Sequence, residues 1–160
     1  LNGDAVVRQR AKRVPQVDGS IRRLVEDMID TMRDAGGVGL AAPQVGVPLR
    51  VVVIGIPEED VIVLINPEIV KRSGERRVTE GCLSLPGYWA EVTRSLSVTA
   101  KGRDLQGRQV RIKAKDDLLA QALEHEIDHI NGVLYIDHLE SLDELRKTLP
   151  APGEEGSAGL

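Results

Sequence analysis

The chain has 160 residues, one cysteine and a net charge of −4, with 41% hydrophobic and 29% charged residues. This length is typical of one domain with its own hydrophobic core, and the composition excludes collagen-like, mucin-like and wholly disordered chains. The slightly acidic balance argues against a protein whose main task is to hold nucleic acid or an acidic membrane. A single cysteine excludes an internal disulfide and favours a reducing, cytoplasmic compartment.

Two long helices are predicted from apolar residues that recur at helical spacing behind a capping residue. The first begins after Asp18 or Ser20. The second covers residues 118–130 and follows Asp116 or Asp117, either of which can cap its first turn.

Strands are predicted where valine-rich or alternating segments occur. Residues 49–56 and 61–65 are rich in valine and isoleucine, and residues 96–100 and 109–114 alternate around a glycine-containing turn, which indicates a hairpin. Residues 71–77 are polar and charged and are predicted to form a solvated connection.

The remaining segments complete an α+β pattern. Residues 1–18 are predicted to be an irregular arm, Asn66-Pro67 a turn or sheet edge, and residues 141–144 the capping box of a short last helix. Because strands and helices do not alternate regularly, we expect an α+β fold in one catalytic domain, residues 1–149, with mixed or antiparallel sheets packed around the second helix. Residues 150–160 are predicted to be a disordered tail.

The sharpest chemical signal is His-Glu-Ile-Asp-His at residues 125–129, within the second predicted helix. His125 and His129 are four residues apart and share a helix face, with Cβ atoms about 5–6 Å apart, so both imidazoles can bind one metal ion. Glu126 stands beside the first of them and can act as a general base. The pattern indicates a metal hydrolase without saying which kind.

A catalytic metal site of this type needs a third protein ligand. Cys82 is a candidate because it lies in the glycine-containing segment Glu-Gly-Cys-Leu-Ser at residues 80–84. His138 is a competitor that we rank as an ordinary surface or packing histidine. Residues 37–44, Gly-Val-Gly-Leu-Ala-Ala-Pro-Gln, do not match a nucleotide loop, and they are interpreted as backbone that pairs with an extended substrate, with Gln44 as an oxyanion donor.

With these three segments in this order, the chain resembles the peptide deformylase family over roughly residues 4–149. The resemblance implies hydrolysis of the N-terminal formyl group from N-formyl-methionyl peptides of newly made bacterial and organellar proteins. It also implies Fe²⁺ as the metal, Zn²⁺ as a possible bound substitute, and a possible transient contact with the ribosome.

The resemblance assigns roles by matching motif positions. Three side chains are implied as metal ligands: Cys82, His125 and His129. Catalysis is implied for Glu126 as base and acid, with two oxyanion donors, the Gln44 side chain and the Leu83 backbone N–H. Substrate contacts are implied for Val38, Gly39, Val78 and Leu118, with the edge of His125 completing the methionine pocket. Glu80 is expected behind the ligands or at the pocket rim.

Departures from the family pattern concern neighbours of the site. Glu124 stands where the family has glutamine, and Trp89 stands where many members have a polar residue, which leaves peptide preference beyond the methionine open. Arg94 is expected to pair with Glu80 or Asp128.

Two alternatives remain open from the residues. One is a zincin-like metallopeptidase, which fits His-Glu-x-x-His but gives no role to Cys82. The other is a catalytically silent, ribosome-associated metal-binding module, because residues 101–115 carry six basic side chains that could face RNA.

Overall fold

Two α-helices and eight β-strands make up the regular structure of the computed structural model, which describes residues 8–147. The helices are α1 (Gly19–Asp34) and α2 (Leu118–Ile130). The strands are β1 (Gly39–Ala41), β2 (Val51–Ile54), β3 (Ile62–Ser73), β4 (Arg76–Cys82), β5 (Leu85–Arg94), β6 (Ser97–Arg103), β7 (Gln109–Lys115) and β8 (Arg146–Lys147). Every strand pairing is antiparallel, which confirms the predicted α+β class.

Both long helices begin at aspartates that the sequence indicated. The side chain of Asp18 accepts hydrogen bonds from the backbone N–H groups of Ser20 and Ile21, and the side chain of Asp117 accepts one from Ala120. Each cap satisfies donors that the first helical turn leaves unpaired. None of the helices in residues 8–147 combines the length and apolar character that crossing a lipid bilayer requires.

The larger sheet has the strand order β1-β2-β3-β6-β7 and carries a helix on each face. Val52 and Ile54 point towards α2, whereas Val51 and Val53 point towards α1, as the two-residue period of a strand requires. Both faces of β2 are therefore buried, which explains its unbroken run of valine and isoleucine.

The smaller sheet, β4-β5-β8, was not anticipated in full. The prediction of a solvated connection at residues 71–77 is wrong, because β3 continues to Ser73 and β4 begins at Arg76. The charged side chains stand mostly outside while the backbone continues its pairing. Strands β4 and β5 form a hairpin whose register shifts between Glu80 and Cys82.

Asn66-Pro67 is not a turn but an irregularity inside β3. Asn66 has a left-handed φ of 53°, and the register with β6 shifts between Ile65 and Glu68. Proline lacks the N–H that a regular ladder uses, so a bulge accommodates it. The Asn66 side chain compensates by bonding both backbone groups of Val14.

The chain ends of the described part are tied to the domain by a few bonds. In the predicted arm, Ala11 N–H donates to Ile130 C=O over 2.8 Å, and Lys12 forms a bridge with Leu49. The predicted last helix is a single 3-10 turn, Leu142–Glu144, capped by the Ser141 side chain. The predicted tail at residues 150–160 and the domain boundary before it lie outside the described residues.

Candidate metal centre and active site

Helix α2 brings the paired histidines into the interior, because it lies against the larger sheet on one side and contacts the smaller sheet on the other. The Gln121 side chain donates to Thr79 C=O of β4 over 3.0 Å, and His125, Glu126 and His129 are each no more than 1% exposed. So many buried polar groups on one helix need partners or ligands.

Three donor atoms from two elements converge beside α2. The Nε2 atoms of His125 and His129 are 3.2 Å apart, and Cys82 Sγ lies 3.1 Å from His129 Nε2. All three donor atoms lie within 4.8 Å of one another, and all three side chains are buried. Two imidazole nitrogens and one sulfur form a donor set that suits a divalent transition-metal ion.

The tautomer of His125 is set by the carboxylate behind it. His125 Nδ1 lies 2.7 Å from Glu80 Oε1, so this nitrogen donates and leaves Nε2 as the donor atom towards the centre. For His129, burial is the main cause that lowers the pKa well below its ordinary value, which keeps the ring neutral. For His125, burial opposes the charged form, but the hydrogen bonds with Cys82 and Glu80 outweigh it and raise the pKa well above its ordinary value, so a metal ion at Nε2 would displace a proton.

Arg94 anchors this arrangement from the smaller sheet. Its guanidinium donates to both oxygens of Glu80, over 2.6 and 2.7 Å, and to Asp128 Oδ2 over 2.7 Å. Burial opposes ionisation of Glu80, but the hydrogen bonds from Arg94 and His125 outweigh it and hold the carboxyl pKa well below its ordinary value. His138, ranked as an ordinary histidine, also contacts Asp128, over 2.8 Å.

Glu126 contributes a buried carboxylate that, unlike that of Glu80, is left free. Within residues 8–147, neither of its oxygens has a hydrogen-bond partner. Burial raises the pKa of Glu126 to about 7, and a cation beside it would favour the charged form. A Cβ on Gly39 would collide with this carboxylate, so the absence of a side chain at Gly39 provides the space that Glu126 occupies.

Gln44 points its amide at the Cys82 sulfur. It lies in a 3-10 turn, Ala42–Val45, that follows β1, and its Oε1 accepts from Ala41 N–H over 2.8 Å. This bond directs Nε2 towards Ser84 Oγ at 3.0 Å and Cys82 Sγ at 3.6 Å. A fixed amide donor is therefore present beside the three donor atoms.

The residues expected to contact substrate come from several elements. Gly39 lies in β1, which is an edge strand of the larger sheet. Val38 precedes it, and its C=O accepts from Gly55 N–H over 2.8 Å. Because backbone bonds alternate along an antiparallel strand, Gly39 directs its own N–H and C=O to the open edge.

The other expected contacts lie on other elements. Val78 packs beside Cys82 in the smaller sheet, and Leu118 is 37% exposed at the beginning of α2. Leu83 lies in the two-residue connection between β4 and β5. Glu80 is fully buried behind His125, so the structure places it away from any rim.

Two buried neighbours of the site were not singled out from the sequence. Ser84 receives the Gln44 amide, and Tyr135 stacks on the His125 ring with centroids 6.2 Å apart. Ser84 and Gln44 are 40 residues apart in the chain, and Tyr135 lies in a 3-10 turn shortly after α2, so neither contact follows from helix or strand periodicity. Glu124, the departure beside the ligands, points away, and its carboxylate accepts from Ser95 N–H over 2.7 Å and Arg72 over 3.1 Å.

Comparisons with known proteins agree with this geometry. Residues 1–145 match a family model described as polypeptide deformylase. The peptide deformylase of Dehalococcoides mccartyi is 57% identical over 148 residues, which cover 92% of this chain and 88% of the relative. That of Thermomicrobium roseum is 49% identical over 152 residues, covering 90% and 86%.

Solved structures give the same result. The crystal structure of a peptide deformylase from Synechococcus elongatus in complex with actinonin superposes with a TM-score of 0.85 at 44% identity, covering 89% of this chain and 78% of that one. The peptide deformylase from Legionella pneumophila superposes with a TM-score of 0.84 at 48% identity, covering 88% and 84%.

Proposed function

The chain belongs to the peptide deformylase family, whose members remove the N-terminal formyl group from newly made proteins, and from that premise we propose which residues carry the reaction. Cys82, His125 and His129 hold the metal ion. The observation that carries this assignment is the convergence of their three buried donor atoms within 4.8 Å. Family membership also decides against the metallopeptidase and the catalytically silent module.

We propose Fe²⁺ as the working ion and Zn²⁺ as a bound substitute. Imidazole suits both ions, and simple affinity order favours zinc over iron. The preference for iron therefore rests on the resemblance to the family. The bound ion supplies Lewis acidity at the centre of the site.

Glu126 moves the proton. It takes a proton from the attacking water as the new C–O bond forms at the formyl carbon, and it delivers that proton to the amine nitrogen as the C–N bond breaks. The products are formate and a free amino terminus. The free carboxylate and the raised pKa of Glu126, about 7, support a group that both accepts and donates near neutrality.

Gln44 and Leu83 stabilise the charge that develops on the formyl oxygen. Gln44 Nε2 is directed at the metal centre by the bond from Ala41 N–H to its Oε1. We assign the Leu83 backbone N–H as a second donor because it adjoins Cys82. Donors that are fixed before the reaction need no reorganisation during it, which is the basis of oxyanion stabilisation.

The substrate peptide lies along β1 as an added strand. Gly39 offers its backbone groups at the open edge, and Val38, whose C=O accepts from Gly55 N–H, lies directly before it. Val38, Val78 and Leu118 surround the methionine side chain. We assign Glu80 to orienting His125, because both its oxygens are occupied by Arg94 and His125.

We place the enzyme in the cytoplasm and in transient contact with the ribosome. Its substrates are formylated nascent chains, which exist where proteins are made. A reducing compartment keeps thiols reduced, so the single cysteine stays available as a ligand there.

Metal analysis tests the ligand set. Cys82→Ala should lose most of the bound metal, whereas His138→Ala, which removes a nearby histidine outside the trio, should retain it. Elemental analysis after anaerobic loading with Fe²⁺ or Zn²⁺ measures this, and formate release per bound ion ranks the two metals. Equal metal retention in both variants would contradict the assignment of Cys82.

Product analysis tests the substrate. Formyl-Met, acetyl-Met, formyl-Ala and unblocked tripeptides are compared, and formate and new amine are measured separately. Formyl-Ala should react about 10–200-fold more slowly than formyl-Met, because a lost apolar side chain costs about 1–3 kcal/mol in specificity. Equal rates of formate release from formyl-Met and formyl-Ala would contradict the proposed methionine pocket but not the proposed reaction.

A further inference from the structure

Part of the larger sheet is covered on one face only. Helix α2 packs against Val98, Ala100 and Ala114 on the inner face. Helix α1 packs against the opposite face, but its contacts are with β1, β2 and the first half of β3. The end of β3 and all of β6 and β7 therefore present their outward side chains to solvent.

These outward positions are strongly basic, and we call them the basic face. Its charged side chains come from three adjacent strands: Lys71, Lys101, Arg103, Arg111, Lys113 and Lys115. In the register, Lys71 and Lys113 flank Thr99 from either side, and Lys101 stands directly opposite Arg111. Like charges opposite each other weaken a sheet, so sheet stability does not account for this pattern.

Little on the basic face neutralises this charge. Among the outward positions that the structure describes on these strands, Glu68 is the one carboxylate, and it pairs with Lys101 over 2.9 Å. The positive charge accumulates in a chain whose net charge is −4.

Hydroxyl groups are interleaved with the lysines. Lys71, Lys113 and Lys115 surround a shallow hollow of about 390 Å³, and three hydroxyl side chains complete its polar lining: Ser73, Ser97 and Thr99. Ammonium and hydroxyl donors are the side-chain groups that contact nucleic-acid phosphates.

We propose that the basic face binds the phosphate backbone of double-stranded RNA. Its outward positions carry no aromatic side chain, which a protein interface or a membrane-inserted surface would use as an anchor. A sheet face studded with cations and hydroxyls instead suits the wide, shallow minor groove of an A-form helix, which displays phosphates and 2′-hydroxyls.

The position of the basic face is compatible with catalysis. The sheet separates it from α2, which carries His125, Glu126 and His129 on the inner side. RNA on the basic face therefore leaves the metal centre open. The inference goes beyond the proposed reaction and does not depend on it.

Fluorescence anisotropy with a labelled RNA hairpin of about 20 base pairs tests the proposal between about 50 and 200 mM KCl. The variant combines Lys71→Gln, Lys113→Gln and Lys115→Gln. A matched control combines Lys12→Gln, Arg23→Gln and Arg33→Gln, which remove the same charge from exposed positions elsewhere. The face variant should bind at least about tenfold more weakly, and its salt slope should fall by about two to three, one per lost phosphate contact.

Three results would overturn the proposal: an equal loss in the control variant, no binding by the unaltered protein at about 50 mM KCl, or binding to matched DNA or phosphatidylserine vesicles as tight as to RNA. Formate release from a formyl-methionyl tripeptide should be unchanged in the face variant. If the unaltered protein releases no formate from this tripeptide, the proposed reaction is contradicted, whereas the RNA-binding result is unaffected.

Discussion

Gly39 serves the site through the side chain that it lacks. Its φ is not left-handed, so the requirement for glycine comes from its neighbour and not from backbone strain. An added Cβ would occupy the place of the Glu126 carboxylate. The same residue offers the open backbone edge along which we place the substrate.

Gly39→Ala should therefore impair catalysis more than folding. Displacing Glu126 should approach the loss of a general acid–base group, about 10²–10⁴-fold in kcat/KM, with metal content retained. The control is Gly19→Ala at the first residue of α1, where the added Cβ meets only the flexible end of Arg23. Formate release and elemental analysis measure both variants, and an active Gly39→Ala enzyme would contradict the proposed position of Glu126.

Single residues of the site differ in how well the sequence predicts them. His125 and His129 follow from helical spacing, because both are on one helix that the sequence marks clearly. Residue chemistry alone leaves Cys82 and His138 as candidates for the third ligand, and the resemblance to a family selects Cys82. The stacking of Tyr135 on His125 depends on how the segment after α2 folds back against the helix, and no local periodicity carries that information.

At the scale of elements, Arg94 fastens β5 to both β4 and α2. It is 4% exposed, and its partners Glu80 and Asp128 lie on the two neighbouring elements. A buried ion pair contributes little when compared with an apolar replacement, but removal of one partner leaves an uncompensated charge.

Arg94→Met should destabilise the protein by about 3–5 kcal/mol, because Glu80 would stay buried without its cation. Arg77→Met on β4 is the matched control, since its ion pair with the Glu91 carboxylate is 4.0 Å long and both side chains are more than half exposed. We expect about 0–1 kcal/mol for that change. Urea unfolding of the metal-free proteins measures both, and a loss for Arg94→Met as small as the loss expected for Arg77→Met would show that the Arg94 network is not needed for stability.

The sequence predicts elements whose apolar residues recur with a clear period. It does not predict strands that bury polar as well as apolar side chains. The apolar stripe and aspartate cap of each helix are local signals, so α1 and α2 were found. Strands β4 and β5 alternate weakly, since Glu80 and Arg94 are polar residues that point inwards. The ion pair between Glu80 and Arg94 compensates the burial of both charges. A hydrophobicity pattern cannot detect such a pair.

At the scale of the whole molecule, the proposed metal centre is a further link between the smaller sheet and α2, beside the contacts of Arg94 with Asp128 and of Gln121 with Thr79. Cys82 comes from the smaller sheet, and His125 and His129 come from the helix that supports the larger sheet. An ion held by all three stabilises the folded chain by mass action, because the unfolded chain does not assemble the trio.

Removal of the metal with a chelator should lower the Tm. At a free ion concentration of about 100 Kd, the expected loss is about 2.7 kcal/mol, or about 5–11 °C for a chain of this size. Differential scanning calorimetry with and without chelator measures the shift. Cys82→Ala should respond much less, and an identical shift in that variant would place the stabilising ion elsewhere.

The distance between the ligands along the chain also has a consequence in time. Cys82 precedes His129 by 47 residues. At a synthesis rate of about 5–20 residues per second, the thiol leaves the ribosome roughly 2–9 seconds before the last histidine can join it. During that interval the sulfur is exposed to oxidants, but the chain contains no second cysteine with which it could form a wrong disulfide. The complete metal site therefore forms late in the synthesis of each chain. An enzyme that processes nascent chains cannot act before most of its own chain has been made.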